Sequence, residues 1–251
     1  MTYGIVFKSP NAFTGDYVDT LPVVTDPPYA LPVGGLESRF LATHGVNTGS
    51  AGSVTWRDQV GSITLAAAGT ATSPTVEVVD GRKALTFDGV SDELRYDFAA
   101  NKAQPFTIAL VVKNNQFVAS GSGTRVFVGG TKLGASRVNE AGALQVSNTT
   151  GLIAYGGTLM AAAGPSYGAI TPTGWHVFVA SFNGAGTATR VDGYARTGSA
   201  GVLPRSALSV GGEANSFYAD CSISEVATWN RALTAQEITD VVTAMRAQYG
   251  I

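Results

Sequence analysis

Carboxylates are the first residues to consider, because two of them held close together could hydrolyse a glycosidic bond. Retaining enzymes hold such a pair about 5–5.5 Å apart, and alternate residues of a strand share one face and could supply it. Glu225, in "SISEVATW", has no such neighbour, because Asp220 lies five positions earlier and falls on the opposite face. The sequence therefore predicts no catalytic pair on this strand.

A second acidic group occurs in "SDELRYD". Asp92 and Glu93 are adjacent and so point to opposite sides of a strand, and Asp97 lies on the face opposite Asp92. We interpret this group as the solvated end of a strand rather than as a catalytic site.

The two histidines do not indicate catalysis either. His44 and His176 are far apart, and neither has a partner at metal-ligand spacing or a supporting carboxylate nearby. His176 shares a strand face with Phe178 and Phe182, which favours a structural role. The chain has no G-x-S-x-G motif and no phosphate-binding loop. We therefore expect no catalytic residues and a protein that is not an enzyme.

Composition excludes several other classes of function. The 251 residues carry a net charge of −2, and the sixteen basic residues are scattered, which argues against nucleic-acid binding. No apolar run is long enough to span a membrane, and no secretory leader is present. We expect synthesis in a cytoplasm and no membrane insertion. Cys221 lies among apolar residues and is expected to be buried.

The elements that would position a site begin after a proline-rich segment. Five of the ten prolines precede Gly34, and such a segment is not expected to form a helix or a central strand. We divide the chain into an extended arm, residues 1–35, and a domain, residues 36–251. The arm either wraps on itself or docks on a neighbouring subunit, and its apolar content favours docking. The expected docking residues are Tyr3, Ile5, Val6, Phe7, Tyr29 and Leu31.

From Leu36 onward, short apolar runs separated by turn dipeptides predict an all-β fold. A hairpin is expected over Thr187–Thr197, around the turn Asp192-Gly193. Several runs are apolar on both faces, which suits the inner strands of a two-sheet antiparallel jelly roll. The other predicted strands are Val54–Gly61, Lys83–Gly89, Phe106–Asn114, Thr124–Gly130, Gly142–Asn148, Trp175–Asn183, Ala207–Gly212 and Cys221–Asn230.

One short helix is predicted at the C-terminus. Thr234 and Glu237 fit a capping box, and Gly250 suits a left-handed C-cap. An apolar face recurs at helical spacing, and such a face must be buried against a sheet. We therefore expect the helix to cover one sheet of the jelly roll. The face consists of Ile238, Val241, Val242, Met245 and Tyr249.

Three motifs occur in the order typical of a known family. They are "ALTFDGVSDELRY", "GWHVFVASFNGAGTATRVDGYA" and "LSVGGEANSFYADCSISEVATWNRALTAQEI". Over Leu36–Ile251 the chain resembles concanavalin A-like, laminin G-type jelly-roll domains, which implies that fold. It departs from the family pattern at Ala219-Asp220, where a glycine usually precedes the last strand. The proline-rich start resembles tailed-phage structural proteins that carry such a domain.

A sugar-binding site would need exposed aromatic rings with polar partners. By the same resemblance, the three tryptophans, Trp56, Trp175 and Trp229, correspond to core positions and are not expected to bind sugars. Loops of the segment Thr131–Thr173 and their surroundings offer aromatic rings and hydrogen-bonding partners instead. The candidate glycan-binding residues are Tyr155, Tyr167, Phe217, Tyr218, Arg125, Arg137, Asn139 and Asn215.

A bound calcium ion is a weaker implication of the same resemblance. Asp88, Asp92 and Asp192 lie beside turns and are possible ligands. The sequence has no dense run of oxygen ligands, so we expect no metal and no cofactor.

Two functions from different classes remain open at this point. The first is a non-enzymatic phage virion protein, in the capsid or tail, that joins other virion proteins through its arm and is a homo-oligomer. The second is an adhesion module that binds a cell-surface glycan. A glycosidase with an unfamiliar site around Glu225 is a third and weaker hypothesis.

Overall fold

The computed structural model describes residues 30–115, 123–147, 151–163 and 174–251. Within these residues, strands form two antiparallel sheets, and one helix follows them. The all-β jelly roll with a C-terminal helix is confirmed. No helix in the described ranges is both long and apolar enough to cross a bilayer.

Sheet A contains eight of the described strands. Strand β17 (Asp220–Trp229) lies at its centre, between β8 (Phe106–Asn114) on one side and both β6 (Arg82–Asp88) and β1 (Leu36–Leu41) on the other. The strands of sheet A are β1 (Leu36–Leu41), β5 (Thr75–Val79), β6 (Arg82–Asp88), β8 (Phe106–Asn114), β13 (Trp175–Phe182), β14 (Thr187–Val191), β15 (Tyr194–Gly198) and β17 (Asp220–Trp229).

Sheet B contains nine of the described strands, which are β2 (Val46–Thr48), β3 (Val54–Arg57), β4 (Thr64–Ala66), β7 (Leu94–Lys102), β9 (Thr124–Gly129), β10 (Ala143–Ser147), β11 (Gly151–Tyr155), β12 (Leu159–Ala163) and β16 (Arg205–Val210). Their order across the sheet is β12-β11-β10-β9-β16-β7-β4-β3-β2.

Two hydrophobic clusters explain why the strands of sheet A are apolar on both faces. The larger cluster fills the space between the sheets, and it includes Phe87, Phe127 and Phe178. The second cluster lies on the outer face of sheet A, where Val111 and Val177 contact the helix. Burial on both faces accounts for the continuous apolar runs in the sequence. Each strand predicted from such a run corresponds to a strand of the structure.

Helix α1 (Ala235–Tyr249) covers the outer face of sheet A, as predicted. Its capping box is present, since Thr234 Oγ1 accepts from Glu237 N at 3.2 Å and Glu237 Oε2 accepts from Thr234 N at 2.8 Å. Gly250 ends the helix with a φ of 62°. The helix buries four residues of its predicted apolar face, Ile238, Val241, Val242 and Met245, against the sheet. The fifth, Tyr249, is partly buried and packs against the same cluster.

The end of the proline-rich segment packs on its own domain. Leu31, which the sequence assigned to docking on a neighbouring subunit, is instead buried in the cluster beneath the helix of its own chain. Trp229 Nε1 donates to the carbonyl of Pro32 at 2.7 Å, and Arg231 Nε donates to that of Gly34 at 2.6 Å. The other docking residues, Tyr3, Ile5, Val6, Phe7 and Tyr29, lie outside the described residues, and their docking stays a prediction.

Glu237 makes the stability of the helix cap depend on pH. Arg231 and the backbone amide of Thr234 lower the pKa of Glu237 from 4.5 to about 2. A carboxylate whose pKa is lowered by folding stabilises the protein above its unfolded pKa, and it loses that contribution as the pH falls from 4.5 to about 2.

We predict that Glu237→Gln lowers the free energy of unfolding near neutral pH by about 0.5–1 kcal/mol, the scale of an exposed ion pair with a cap. Urea unfolding of both proteins across this range should show the difference shrinking as Glu237 is protonated. A difference that stays constant down to about pH 2 would contradict the assigned ion pair.

Candidate functional site

The outer face of sheet B is built differently from that of sheet A. The register pairs Val126 with Gln145 and Gln145 with Ile153, so these three side chains form a row across β9, β10 and β11. All three are buried, yet they lie outside both hydrophobic clusters. Two loops, residues 130–142 and 211–219, contact the row: Arg137 in the first donates to Gln145, and the carbonyl of Phe217 in the second accepts from Val126 N.

Glu213 joins the two loops. Its carboxylate is fully buried, and Oε1 accepts from the backbone amides of Gly130 at 2.9 Å and Thr131 at 3.0 Å. Its other oxygen forms an ion pair with Arg137. A buried carboxylate needs such partners, because an unpaired charge there would cost several kcal/mol. A Cβ at Gly129 would lie 2.8 Å from Glu213 Cγ, so glycine is required at that position.

Arg137 lies between two aromatic rings. Its guanidinium carbon is 4.7 Å from the ring centroid of Tyr155 and 4.6 Å from that of Phe217. It also donates to Gln145 Oε1 at 2.7 Å. Cation–π contacts of this kind contribute about 0.5–2 kcal/mol each. We call Tyr155, Arg137 and Phe217 the aromatic–arginine cluster; it joins three residues that are distant in the sequence.

The loop that carries Phe217 is held in a strained conformation. Ala214, Asn215 and Phe217 have φ values of 54°, 57° and 51°, in the left-handed region that non-glycine residues rarely adopt. The loop is fixed on both sides, because Asn215 N donates to Glu93 Oε2 at 2.8 Å and Val126 N donates to Phe217 O at 2.8 Å. The strain orients a ring that remains 37% exposed, and strained residues of this kind concentrate at functional sites.

A shallow groove of about 290 Å³ adjoins the aromatic–arginine cluster at Tyr155. The turn that connects β11 to β12 forms one side of it, and the residues after β15 form the other. The groove is lined by Val138, Tyr155, Gly156, Gly157, Thr158, Gly201, Val202 and Leu203.

Other predicted glycan-binding residues lie apart from the cluster. Asn215 supports the loop, since with its amide oriented to satisfy both neighbours Nδ2 donates to Ala68 O at 3.0 Å and Oδ1 accepts from Thr70 N at 3.1 Å. Tyr218 lies beside Glu93, and burial together with that carboxylate raises the pKa of Tyr218.

Three further candidates have different positions. Asn139 is exposed on the loop that carries Arg137. Arg125 pairs in register with Val146, a core residue, so it lies on the face of sheet B opposite Gln145. Tyr167 lies outside the described residues. A glycan-binding role stays a prediction for all eight candidates.

The acidic group of "SDELRYD" is not the solvated strand end that the sequence predicts. Asp92 and Glu93 are buried. Glu93 pairs with Arg95 at 2.9 Å, and Arg95 Nε lies 3.1 Å from Asp97 Oδ1. The prediction was wrong because the partners that allow these carboxylates to be buried include residues distant in the sequence: Asn215 N donates to Glu93, and Thr72 donates to Asp92. Burial raises the pKa of Glu93, although Arg95 opposes the shift.

The three calcium candidates all accept hydrogen bonds from the protein. Asp88 Oδ1 accepts from the amides of Val90 and Ser91 at 2.9 Å each; burial opposes its charge, but these bonds lower its pKa. Asp92 accepts from Thr72 Oγ1 at 2.7 Å. Among the described residues, no group of three His, Cys, Asp or Glu side chains could hold a metal ion.

Two residues weighed for catalysis have structural contacts. Asp192 Oδ2 lies 2.7 Å from His176 Nδ1, so the structure supplies the carboxylate that the sequence did not place near this histidine. Asp192 Oδ1 also accepts from Val177 N at 2.9 Å. Glu225 is buried between Arg39 Nε at 2.8 Å and Tyr249 OH at 2.9 Å.

The three tryptophans, Trp56, Trp175 and Trp229, and Cys221 are buried, as the sequence predicts. Burial also raises the pKa of the Cys221 thiol, which suits an unreactive core residue.

Comparisons with known proteins agree with this architecture. Residues 87–239 match a laminin G-type family model described as the concanavalin A-like lectin/glucanases superfamily. No curated protein sequence matches the chain.

Solved structures share the fold at low sequence identity. Trypanosoma rangeli sialidase is 16% identical with a TM-score of 0.58; the match covers 87% of this chain but only 34% of the sialidase. Domain 4 of AbnA, a Geobacillus stearothermophilus arabinanase solved with arabinotriose, is 15% identical with a TM-score of 0.56, covering 82% and 98%. The binding domain of Paraclostridial mosquitocidal protein 1 is 13% identical with a TM-score of 0.59, covering 84% and 52%.

We predict that Phe217→Gly unfolds with a free energy about 1 kcal/mol higher than Phe217→Ala, because only glycine adopts this φ without strain. The matched control is Tyr155, in a strand, where the glycine variant should be less stable than the alanine variant. Urea unfolding measures all four proteins. The same order at both positions would contradict the strained loop.

Proposed function

We propose that this chain, which belongs to the concanavalin A-like lectin/glucanase superfamily, is a non-catalytic module that binds carbohydrate on the outer face of sheet B. The observation that carries the proposal is the convergence of Tyr155, Arg137 and Phe217 at one partly exposed point beside a groove. Aromatic rings with a few fixed polar groups are the usual components of a sugar-binding surface.

The arrangement is suited to binding because it is rigid before a ligand arrives. Arg137 is fixed by Glu213 and Gln145, and it fixes the two rings in turn. Preorganised side chains lose little conformational entropy on association. Domain 4 of the arabinanase has the same fold and was solved with arabinotriose. This likeness supports a carbohydrate ligand for the present chain.

We propose binding rather than turnover because the carboxylate considered for catalysis is engaged. Glu225 is buried beneath the helix against Arg39 and Tyr249, on the opposite sheet from the groove. The sialidases that share the fold are about three times longer than the matched region, which covers 34% of the sialidase chain. Their activity does not transfer with the fold alone.

We predict that Tyr155→Ala and Phe217→Ala each weaken binding to the best ligand of a glycan array by about tenfold, because each removes one ring from the surface. Tyr194→Ala is the control, since this residue is 39% exposed but lies in β15 of sheet A. All variants should keep the circular dichroism of the folded protein. Equal affinity in all four proteins would contradict the proposed site.

We also propose that the module is displayed on a phage particle, with residues 1–29 as the attachment to other virion proteins. Leu31, Pro32 and Gly34 are tied to the jelly roll beside Trp229 and Arg231. The preceding segment therefore joins the domain beside the helix, on the sheet opposite the groove. Attachment on that side leaves the outer face of sheet B free to meet a host surface.

We predict that a chain starting at Ala30 folds but is not incorporated into phage particles, because it keeps the buried Leu31 and lacks the proposed attachment. Mass spectrometry of gradient-purified particles measures incorporation against the full-length chain. Normal incorporation of the truncated chain, or absence of the full-length chain from particles, would contradict the virion role and leave carbohydrate binding unaffected.

A further inference from the structure

The groove beside Tyr155 has an uncharged lining. Its walls are formed by glycines, a threonine and apolar side chains, and no Asp, Glu, Lys, Arg or His lies among its lining residues. Val138 and Val202 are each 73% exposed at its rim. An acidic ligand placed there would lose hydration without gaining a charged partner, which is unfavourable.

The sequence around the groove has the same character. From Ala141 to Trp175 the chain contains no Asp, Glu, Lys, Arg or His, and the same is true from Thr197 to Pro204. These two stretches supply all the lining residues except Val138. These two stretches therefore carry no charge, whereas Val138, the remaining lining residue, lies between Arg137 and Glu140 in the sequence.

The cation that contacts Tyr155 of the groove is already neutralised. Arg137 forms an ion pair with Glu213, which is fully buried, and donates a hydrogen bond to Gln145. An adjacent counter-charge cancels most of the attraction that a guanidinium would exert on an approaching anion. Arg137 then acts as a rigid spacer between two rings and as a donor to neutral oxygens, rather than as an anion receptor.

We propose that the site selects neutral glycans and discriminates against glycans that carry sialic or uronic acid. The inference rests on the proposed carbohydrate-binding function and specifies its substrate class. The groove accepts the apolar faces and hydroxyl groups of neutral sugars, with Tyr155 forming part of its lining and Val138 and Val202 forming its rim. Shared fold with sialidases does not imply a shared ligand, since the lining residues determine the charge that the site accepts.

The test uses the purified full-length chain on a printed glycan array that is scored over matched pairs differing by one sialic or uronic acid residue. The neutral member should bind at least about tenfold more tightly in each pair that binds. Its affinity should change less than about twofold between about 0.1 M and 1 M NaCl, over which the screening length falls from about 10 Å to about 3 Å.

A gain-of-function variant locates the selectivity in the groove. Val202→Lys places a cation at the rim and should improve binding of the acidic member of each pair by about threefold to tenfold, in a manner that salt abolishes. Val78→Lys is the matched control, because Val78 is 69% exposed in β5 of sheet A and should change nothing.

The outcomes separate the two proposals. Tighter, salt-dependent binding of acidic members by the unmodified protein would overturn neutral selectivity and leave carbohydrate binding standing. Identical behaviour of Val202→Lys and Val78→Lys would overturn the assignment of selectivity to this groove. Failure of the folded protein to bind any glycan on the array would overturn the proposed function and this inference together.

Discussion

The buried carboxylate of Glu213 is the constraint around which the outer face of sheet B is organised. It has no contact with water, so its charge must be balanced within the protein. Two backbone amides, of Gly130 and Thr131, and the guanidinium of Arg137 provide that balance. Pairing Glu213 therefore fixes both loops that cover the sheet. Arg137, once fixed, determines where the two aromatic rings can pack.

The outer faces of the two sheets differ in how much of their surface is buried, because different elements cover them. On sheet A, an amphipathic helix and Leu31 bury the apolar face, and the ion pair of Arg39 with Glu225 is enclosed beneath them. On sheet B, loops cover the face only in part, and the aromatic–arginine cluster stays accessible at their edge. A helix removes a large apolar area from water, whereas loops present separate side chains to the solvent. Recognition is accordingly expected on sheet B and attachment on sheet A.

The contacts that hold the aromatic–arginine cluster rigid also neutralise the charge of Arg137. The positive φ of Phe217 is maintained by the hydrogen bond that its carbonyl accepts from Val126 N and by the one that Asn215 N donates to Glu93. The ion pair that holds Arg137 also removes its net charge from the groove. One set of contacts thus orders the cluster and neutralises its cation, so the cluster and the groove form a single surface.

The amino-acid sequence alone determined the elements whose signals are local. The capping box of Thr234 and Glu237, the Asp192-Gly193 hairpin and the apolar strands Phe106–Asn114 and Trp175–Phe182 follow from spacing and burial pattern. Strand β7 was missed because its charged residue Arg95 is buried through an ion pair with Glu93, so its pattern is not that of an apolar strand. The sequence also named Tyr155, Arg137 and Phe217 as candidates. Only the tertiary structure brought them together, because their contacts depend on Glu213, which is distant from Arg137 along the chain and became its partner through sheet packing.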